Sequence, residues 1–271
     1  MKISESRLGI GVNYRTDIAD GILQYQNEID CLEVYTEKFF IKDDDYKLER
    51  ILQNTPLILH GLDLSLGSST KDCSTAYITQ LEDVLNERKH EWFSDHLSLT
   101  IENEIEVGHL MPIQFEDENI TRIVSKIQKV SKLSSMPFLV ENITYYYLVP
   151  GSMMPEVEFL SKILNQADCG MLLDLNNLYI NSVNFQYDPY EFLNKLPLER
   201  VIEIHLAGGS YKEGMLIDTH ANPIKQAVWD LFAYACKKTP FKAAIIERDS
   251  NLPIFEDLLE EVRLARHIIN S

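Results

Sequence analysis

The chain has 271 residues, 45% hydrophobic and 25% charged, a balance that fits a folded globular protein and argues against disorder. Its 25 Lys and Arg against 42 Asp and Glu give a net charge of −17, a field that repels polyphosphate and argues against nucleic acid as a partner. The longest uncharged runs, 142–155 and 175–187, fall short of the roughly 20 residues of a membrane span, and the start, MKISESRLGIGV, lacks the apolar stretch of a secretory signal.

Short apolar runs alternate with longer amphipathic stretches from end to end. In chain order, strands are expected at 8–12, 31–35, 56–60, 93–97, 137–141, 170–174, 201–206 and 243–247. Helical spacing fills the intervals. In 75–90, Tyr77, Ile78, Leu81, Val84 and Leu85 recur on one face, and 120–133 and 254–268, the latter behind Pro253, follow the same period. Eight such strand–helix units of about 34 residues predict an α/β fold, a single (β/α)8 TIM barrel, with 1–271 as one catalytic domain. The runs LILH, FLVE, GMLLD, VIEIH and AAIIE are nearly all apolar until their last residue, as strands buried on both faces are.

Those last residues carry the chemistry. His60, Glu141, Asp174, His205 and Glu247 close five runs, and His96 closes a sixth in FSDHLSL. In such a barrel the C-terminal strand ends form one rim, where active sites sit. A lone strand-end histidine is ordinarily a hydrogen-bonded core residue. Six converging donors are costly to bury unless they are paired or bind metal. Asn177 follows Asp174 by three residues, and a later loop holds Asp218 and His220 as D-x-H. Nine such side chains exceed the needs of one ion and suit two or three with a bridging carboxylate. Imidazole and carboxylate without thiolate suit Fe, Mn or Zn. Cys31, Cys73, Cys169 and Cys236 are scattered, which fits reduced thiols in a cytoplasm.

The remaining polar residues read more plainly. His90 and His267 are expected on helix surfaces, and His109 in a surface loop that can approach the rim. Asn142, Asn176, Arg248 and Asp249 flank the candidate ligands and either orient them or cap local turns. Tyr145, Tyr146 and Tyr147 read as barrel-end packing, with a peptide-binding wall as the alternative. Asp43, Asp44 and Asp45 form a solvated loop before a helix. Gly208 and Gly209 lack the spacing of a phosphate loop and let the chain turn close to the rim.

The strings HGLDLSLGSS, SDHLSL, LVENITYYY, LLDLNNLYINS, IHLAGGS, IDTHANPI, VWDLF and IIERDSNLP resemble those of the multinuclear non-haem iron-dependent oxidative enzymes, over residues 8–253 and in the family's order. The resemblance implies a barrel and metal layout shared with xylose isomerase and endonuclease IV. It implies that His60, His96 and Glu141 hold one iron, that Glu141, Asp174, His205 and Glu247 hold a second, and that Asn177, Asp218 and His220 hold a third. Glu141 is then the bridge. Asn177 stands where endonuclease IV has a histidine, so the third site is expected to be the most labile. The family modifies ribosomally made peptides, often at cysteine. The implied activity uses O2 and a mixed-valent iron pair to take hydrogen from the β-carbon of a bound cysteine. Departures fall in GIGVNYR and in the segment after His96, both expected near the substrate. No segment is left over for leader recognition, so a separate leader-binding partner protein is expected, docked on the loops after His96 and Leu206. Two other functions fit less well. A zinc phosphodiesterase of the endonuclease IV kind, or a divalent-metal sugar isomerase, is opposed by the net charge and Asn177. A non-catalytic peptide- or metal-binding protein is opposed by the complete donor set.

Overall fold

The computed structural model describes residues 7–41 and 44–271, so Asp43 of the acidic run and the first six residues lie outside it. The barrel strands are β1 (Gly9–Asn13), β2 (Cys31–Tyr35), β3 (Leu57–Gly61) and β4 (Phe93–His96). A hairpin of β5 (Leu99–Glu102) and β6 (Ile105–Met111) follows, then β7 (Phe138–Glu141), β8 (Gly170–Asp174) and β9 (Val201–Leu206). A second hairpin, β10 (Ser210–Lys212) and β11 (Met215–Ile217), precedes the last barrel strand, β12 (Ala243–Ile246). Eight parallel strands close in the order β1-β12-β9-β8-β7-β4-β3-β2, each beside its predecessor in the barrel, as expected.

Nine α-helices among the described residues cover the barrel: α1 (Ala19–Gln24), α2 (Tyr46–Leu52), α3 (Thr75–Glu87), α4 (Asp117–Val130), α5 (Glu156–Ala167), α6 (Leu175–Phe185), α7 (Pro189–Lys195), α8 (Gln226–Cys236) and α9 (Phe255–Ile269). Their apolar stripes meet the outer faces of the strands in one large core. Asp45 caps α2 through the Leu48 N–H at 3.1 Å and accepts the Tyr14 hydroxyl at 2.7 Å, so this end of the acidic run is an anchor. Among the described residues no helix is long and apolar enough to cross a membrane. All four cysteines are free, Cys31 and Cys169 buried.

Inside the barrel, Cys31, Ile58, Trp92, Leu139, Leu172, Ile202, Ala243 and Ile245 form a separate apolar floor. Side chains alternate along a strand with period two, so Ile58 and His60, Leu139 and Glu141, Leu172 and Asp174, and Ile245 and Glu247 share the inward face. A bulge between β8 and β9 pairs Met171 with Val201 and Leu172 with Glu203. The extra residue lets Ile202 join the floor while Glu203 also turns inward, to accept the Trp92 indole N–H at 2.8 Å.

The 62–68 segment leaves β3 just beyond His60 and folds around a lysine. Lys126 of α4 is 1% exposed, and its ammonium donates to the carbonyls of Ser65, Leu66 and Ser68 and to the Ser68 hydroxyl, at 3.4, 3.3, 2.8 and 2.6 Å. Four acceptors in place of water make that burial tolerable.

Candidate metal centre

Parallel register levels the strand ends with one another. His96 pairs with Glu141 across β4 and β7, and Asp174 with His205 across β8 and β9. Glu247 stands one residue beyond β12. Asn177 lies in the first turn of α6, and Asp218 and His220 follow β11. All nine candidates therefore stand at the C-terminal mouth. Glu141 Oε2 lies 3.3 Å from His60 Nε2 and 3.2 Å from His96 Nε2, while Glu141 Oε1 lies 3.7 Å from His205 Nδ1. Glu247 Oε2 is 3.0 Å from His205 Nδ1 and 3.7 Å from His220 Nδ1. His220 Nε2 is 2.9 Å from Asp218 Oδ1.

Four groups of three residues could each hold an ion, their donor atoms within 4.8 Å of one another: His60, His96 and Glu141; Glu141, Asp174 and His205; Asp174, His220 and Glu247; and Glu33, His205 and Glu247. The first three run in sequence, each sharing a carboxylate with the next. Asp218 joins through His220 and accepts from Asn176 at 2.8 Å. The Asn177 amide oxygen is turned to the Thr144 hydroxyl, and its nitrogen donates to the Asn142 carbonyl at 3.0 Å.

Three of the four imidazoles are held from behind, whereas His96 Nδ1 is buried without a hydrogen-bond partner among the described residues. Ser94 donates its hydroxyl proton to the Leu59 carbonyl and accepts from His60 Nδ1 at 2.8 Å, which leaves the His60 Nε2 lone pair facing Glu141. His205 Nε2 donates to Glu33 at 2.9 Å, leaving Nδ1 for the mouth. His220 adopts a left-handed backbone, φ 45°. The Asp249 amide holds its carbonyl at 3.0 Å and the Asp249 carboxylate its Nδ1 at 3.1 Å. Arg15 and Asn13 hold Asp249 in turn. The Asn142 side chain grips both backbone groups of Asp174, donating to its carbonyl at 2.9 Å and accepting its N–H at 3.0 Å. Backing of this kind orients metal ligands and tunes their basicity.

The donor set fits a metal. Glu141 Oε2, Asp174 Oδ2, His205 Nδ1, His220 Nε2 and Glu247 Oε2 are buried and have no hydrogen-bond partner among the described residues. Close approach without hydrogen-bond geometry is the arrangement of atoms aimed at a shared centre. Burial and the neighbouring His96 hold His60 well below its ordinary pKa, and burial brings His96 to about 4. Burial lifts Glu141 far above the carboxylate range, and burial with Glu247 lifts Asp174 to about 7. Burial opposes charge on His205 and His220, but Glu247 and Glu33 around the first, and Asp218 and Glu247 around the second, outweigh it and raise both. The cluster thus balances its charge with protons that a cation would displace.

Sequence reasoning missed Glu33 and Glu203, both fully buried. The only signal was a carboxylate in the interior of an otherwise apolar run, CLEVY or VIEIH, rather than at its end. The helix expected to reach residue 90 stops at Glu87. His90 is therefore neither helical nor on the surface: it is buried, against the Arg88 carbonyl and Ser134. His267 is exposed on α9, and His109 lies on β6 rather than in a loop. Arg248 turns away from the mouth to pair with Glu261 of α9 at 2.9 Å.

A pocket of about 780 Å³ opens above the donors, walled by His109, Met111, Tyr146, Tyr147 and Thr219 among others. Tyr145 is buried, whereas Tyr146 and Tyr147 are 40% and 47% exposed. The Tyr146 oxygen accepts the Asp218 N–H at 3.1 Å and so steadies the D-x-H loop. At the base of that loop a Cβ on Gly208 would lie 2.1 Å from the Asn222 carbonyl oxygen, and one on Gly209 2.6 Å from that of Ile217. Only glycine allows the strands to close there.

Residues 9–270 match the family described as RiPP precursor modification enzyme MbnB/TglH/ChrH. The chain belongs to this family. It is the family to which the mouth motifs pointed, and its members are enzymes acting on ribosomal precursor peptides. Relatives named UPF0276 protein share 33% identity in Anaeromyxobacter (99% of this chain, 95% of that one) and 34% in Haemophilus influenzae (94% and 92%). Among solved structures, a D-psicose 3-epimerase superposes with TM-score 0.61 at 12% identity, over 97% of this chain and 100% of its own. A xylose isomerase domain protein from Alicyclobacillus acidocaldarius gives 0.60 at 12%, over 97% and 99%. At that identity the likeness is one of fold.

Proposed function

We propose that this family member is a multinuclear iron-dependent oxidase that uses O2 to modify a residue, cysteine, of a ribosomally synthesised precursor peptide in the reducing cytoplasm. The observation that carries the reading is the run of three overlapping donor groups, joined through Glu141 and Asp174, beneath a pocket lined by no lysine or arginine among the described residues. Shared carboxylates favour neighbouring ions, and nitrogen–oxygen donors suit iron. A pocket without basic side chains suits a peptide better than a phosphodiester.

In this reading His60, His96 and Glu141 hold one iron. Glu141, Asp174, His205 and Glu247 hold the second, and Asn177, Asp218 and His220 the third. Asn177 would release Thr144 to do so. The irons, when bound, supply the electrons and oxygen chemistry that none of these side chains has. The chain's own residues position and enclose. Ser94, Glu33 and Asp249 fix His60, His205 and His220, and Tyr146, Tyr147 and Met111 wall the peptide from water. A separate leader-binding protein docks on the two hairpins, where β6 is mostly exposed and Tyr211 is 63% exposed.

The test is metal analysis of protein purified without added metal, then oxygen uptake with the short peptide encoded beside its gene. Two or three irons per chain, with oxygen consumed and a mass change at a cysteine, is the expected result. Zinc in their place, with phosphodiester cleavage or sugar isomerisation, overturns the reading. Full turnover by the chain alone, with leader affinity unchanged by the co-encoded neighbour, removes the partner.

A further inference from the structure

A second cavity, of about 500 Å³, opens beside the first, lined by the start of α5, the end of α6 and α7. Its walls include Tyr145, Phe185, Tyr187 and Phe192, with ring centroids 4.9 Å apart for Tyr145 and Phe185 and 5.7 Å for Tyr187 and Phe192. Glu156 lines the same cavity. One of its oxygens accepts the Tyr145 hydroxyl at 3.0 Å, and the carboxylate has no ion pair among the described residues. The Tyr187 hydroxyl is buried and has no hydrogen-bond partner among the described residues. Asp188 and Glu191 add two carboxylates, against one cation, Lys195, which lies 3.6 Å from Glu191.

The two cavities are continuous along the chain. Tyr145 lines both, Tyr146 and Tyr147 line the metal pocket, and Leu148, 55% exposed, lines the second. A peptide lying over the mouth and following this ridge would bring a nearby side chain to the second cavity.

We propose that this cavity receives a basic side chain, lysine or arginine, of the peptide whose other residues occupy the metal pocket. The identity of the guest follows from the walls. A cation over aromatic faces beside a carboxylate gains on both counts. A neutral apolar side chain would leave Glu156 without a counter-charge and the Tyr187 hydroxyl unpaired, and an acidic one would meet three carboxyl groups. Burial has already lifted Glu156 to about 8, as befits a carboxyl carried out of water without its counter-charge. The net charge of −17 draws basic peptides toward the surface. The proposal rests on the reading that the substrate is a peptide, and its test is independent of oxidation.

The probe is the blocked tripeptide acetyl-Gly-Lys-Gly-amide, with its norleucine and glutamate counterparts, titrated into the full chain labelled with methyl-13C methionine. Met153 and Met154 line the second cavity and Met111 the metal pocket, so methyl shifts locate binding. The lysine peptide should shift Met153 and Met154 saturably, with the norleucine peptide weaker by about tenfold or more. Glu156→Gln, which keeps an acceptor for Tyr145, should weaken the lysine peptide about tenfold and leave the norleucine peptide unchanged. An unmoved Met171 resonance certifies the fold of the variant. Should Glu156→Gln unfold, Tyr187→Phe removes only a hydroxyl and should still weaken the lysine peptide several-fold. Equal binding of lysine and norleucine peptides overturns the proposal. So does a shift confined to Met111, or none up to about 10 mM. Tripeptide binding without turnover of any precursor keeps the cavity and removes peptide oxidation; turnover without tripeptide binding does the reverse.

Discussion

At the floor of the barrel Ile58, Leu139, Leu172 and Ile245 are wholly buried, and two residues further along the same strands His60, Glu141, Asp174 and Glu247 are 0–3% exposed. Floor and mouth differ hardly at all in burial. They differ in what completes them. The floor side chains satisfy one another, gaining about 1.5–3 kcal/mol each by leaving water. The mouth side chains keep six buried polar atoms without hydrogen-bond partners among the described residues and meet their charge by sharing protons. One end of the barrel is completed by apolar packing and the other carries a donor set that fits a metal, so substitutions at the two ends should fail in different ways.

Glu141→Ala should produce the largest effect. As the residue shared by two donor groups, it should take more than one metal ion with it and abolish turnover, while far-UV circular dichroism stays native. Elemental analysis showing full metal content would sink the bridge. Leu172→Ala, at the floor of the neighbouring strand, should do the opposite. A residue 0% exposed leaves a cavity worth about 3 kcal/mol, read as a lower urea midpoint, with metal per chain unchanged. Glu33→Gln tests the layer between floor and mouth. It weakens the hold on His205 Nε2 and should raise the metal dissociation constant about 10- to 100-fold, measured by competition with a chelator. Asn177→Ala should be milder, removing at most the third ion and leaving the pair intact. Loss of all metal from that variant would mean the ions are not separable.

The smallest effect lies outside both ends. Glu156 ionises near 4.5 in an open chain and at about 8 in the fold. The fold therefore favours the protonated acid. The stability this contributes is complete below about 4.5 and is lost as pH rises through about 8. Glu156→Gln should gain on the wild type by about 1 kcal/mol between pH 5 and pH 9, after allowing for its partial exposure to solvent. Parallel thermal melts across that range check it; lines that never converge or diverge would show that another group sets the slope.

The barrel was legible because apolar runs recur at regular intervals and six of the eight are closed by His, Asp or Glu. The expected strand ends at 35, 141, 174 and 206 coincide with the observed ones. The two hairpins were not legible. In TIENEIEVGHLM the alternation is short and mostly solvent-facing, so no buried face marks it, and β5 and β6 depend on pairing with each other. The candidate ligands were visible as strand-end residues, but Glu33 and Glu203 were not, because interior carboxylates interrupt a pattern rather than end one. Glu203 needed in addition the bulge after Val201, which turns it inward and which no residue in VIEIHL announces. His90 went astray for a local reason. Helical spacing continues past Glu87, yet Arg88 is already extended, with ψ 123°, and ends the helix.

Lys126 has a consequence for how the mouth is assembled. Its ammonium sits among three carbonyls and a hydroxyl as a potassium ion would, with the difference that four methylenes tie it to α4. A diffusible ion would leave when the buffer changed, and the segment beyond His60 would loosen with it. A tethered one has an effective concentration that no dialysis alters. The wall beside the first donor group is therefore in place before any metal arrives, and stripping the mouth with a chelator should leave the 62–68 amides as slow to exchange as before.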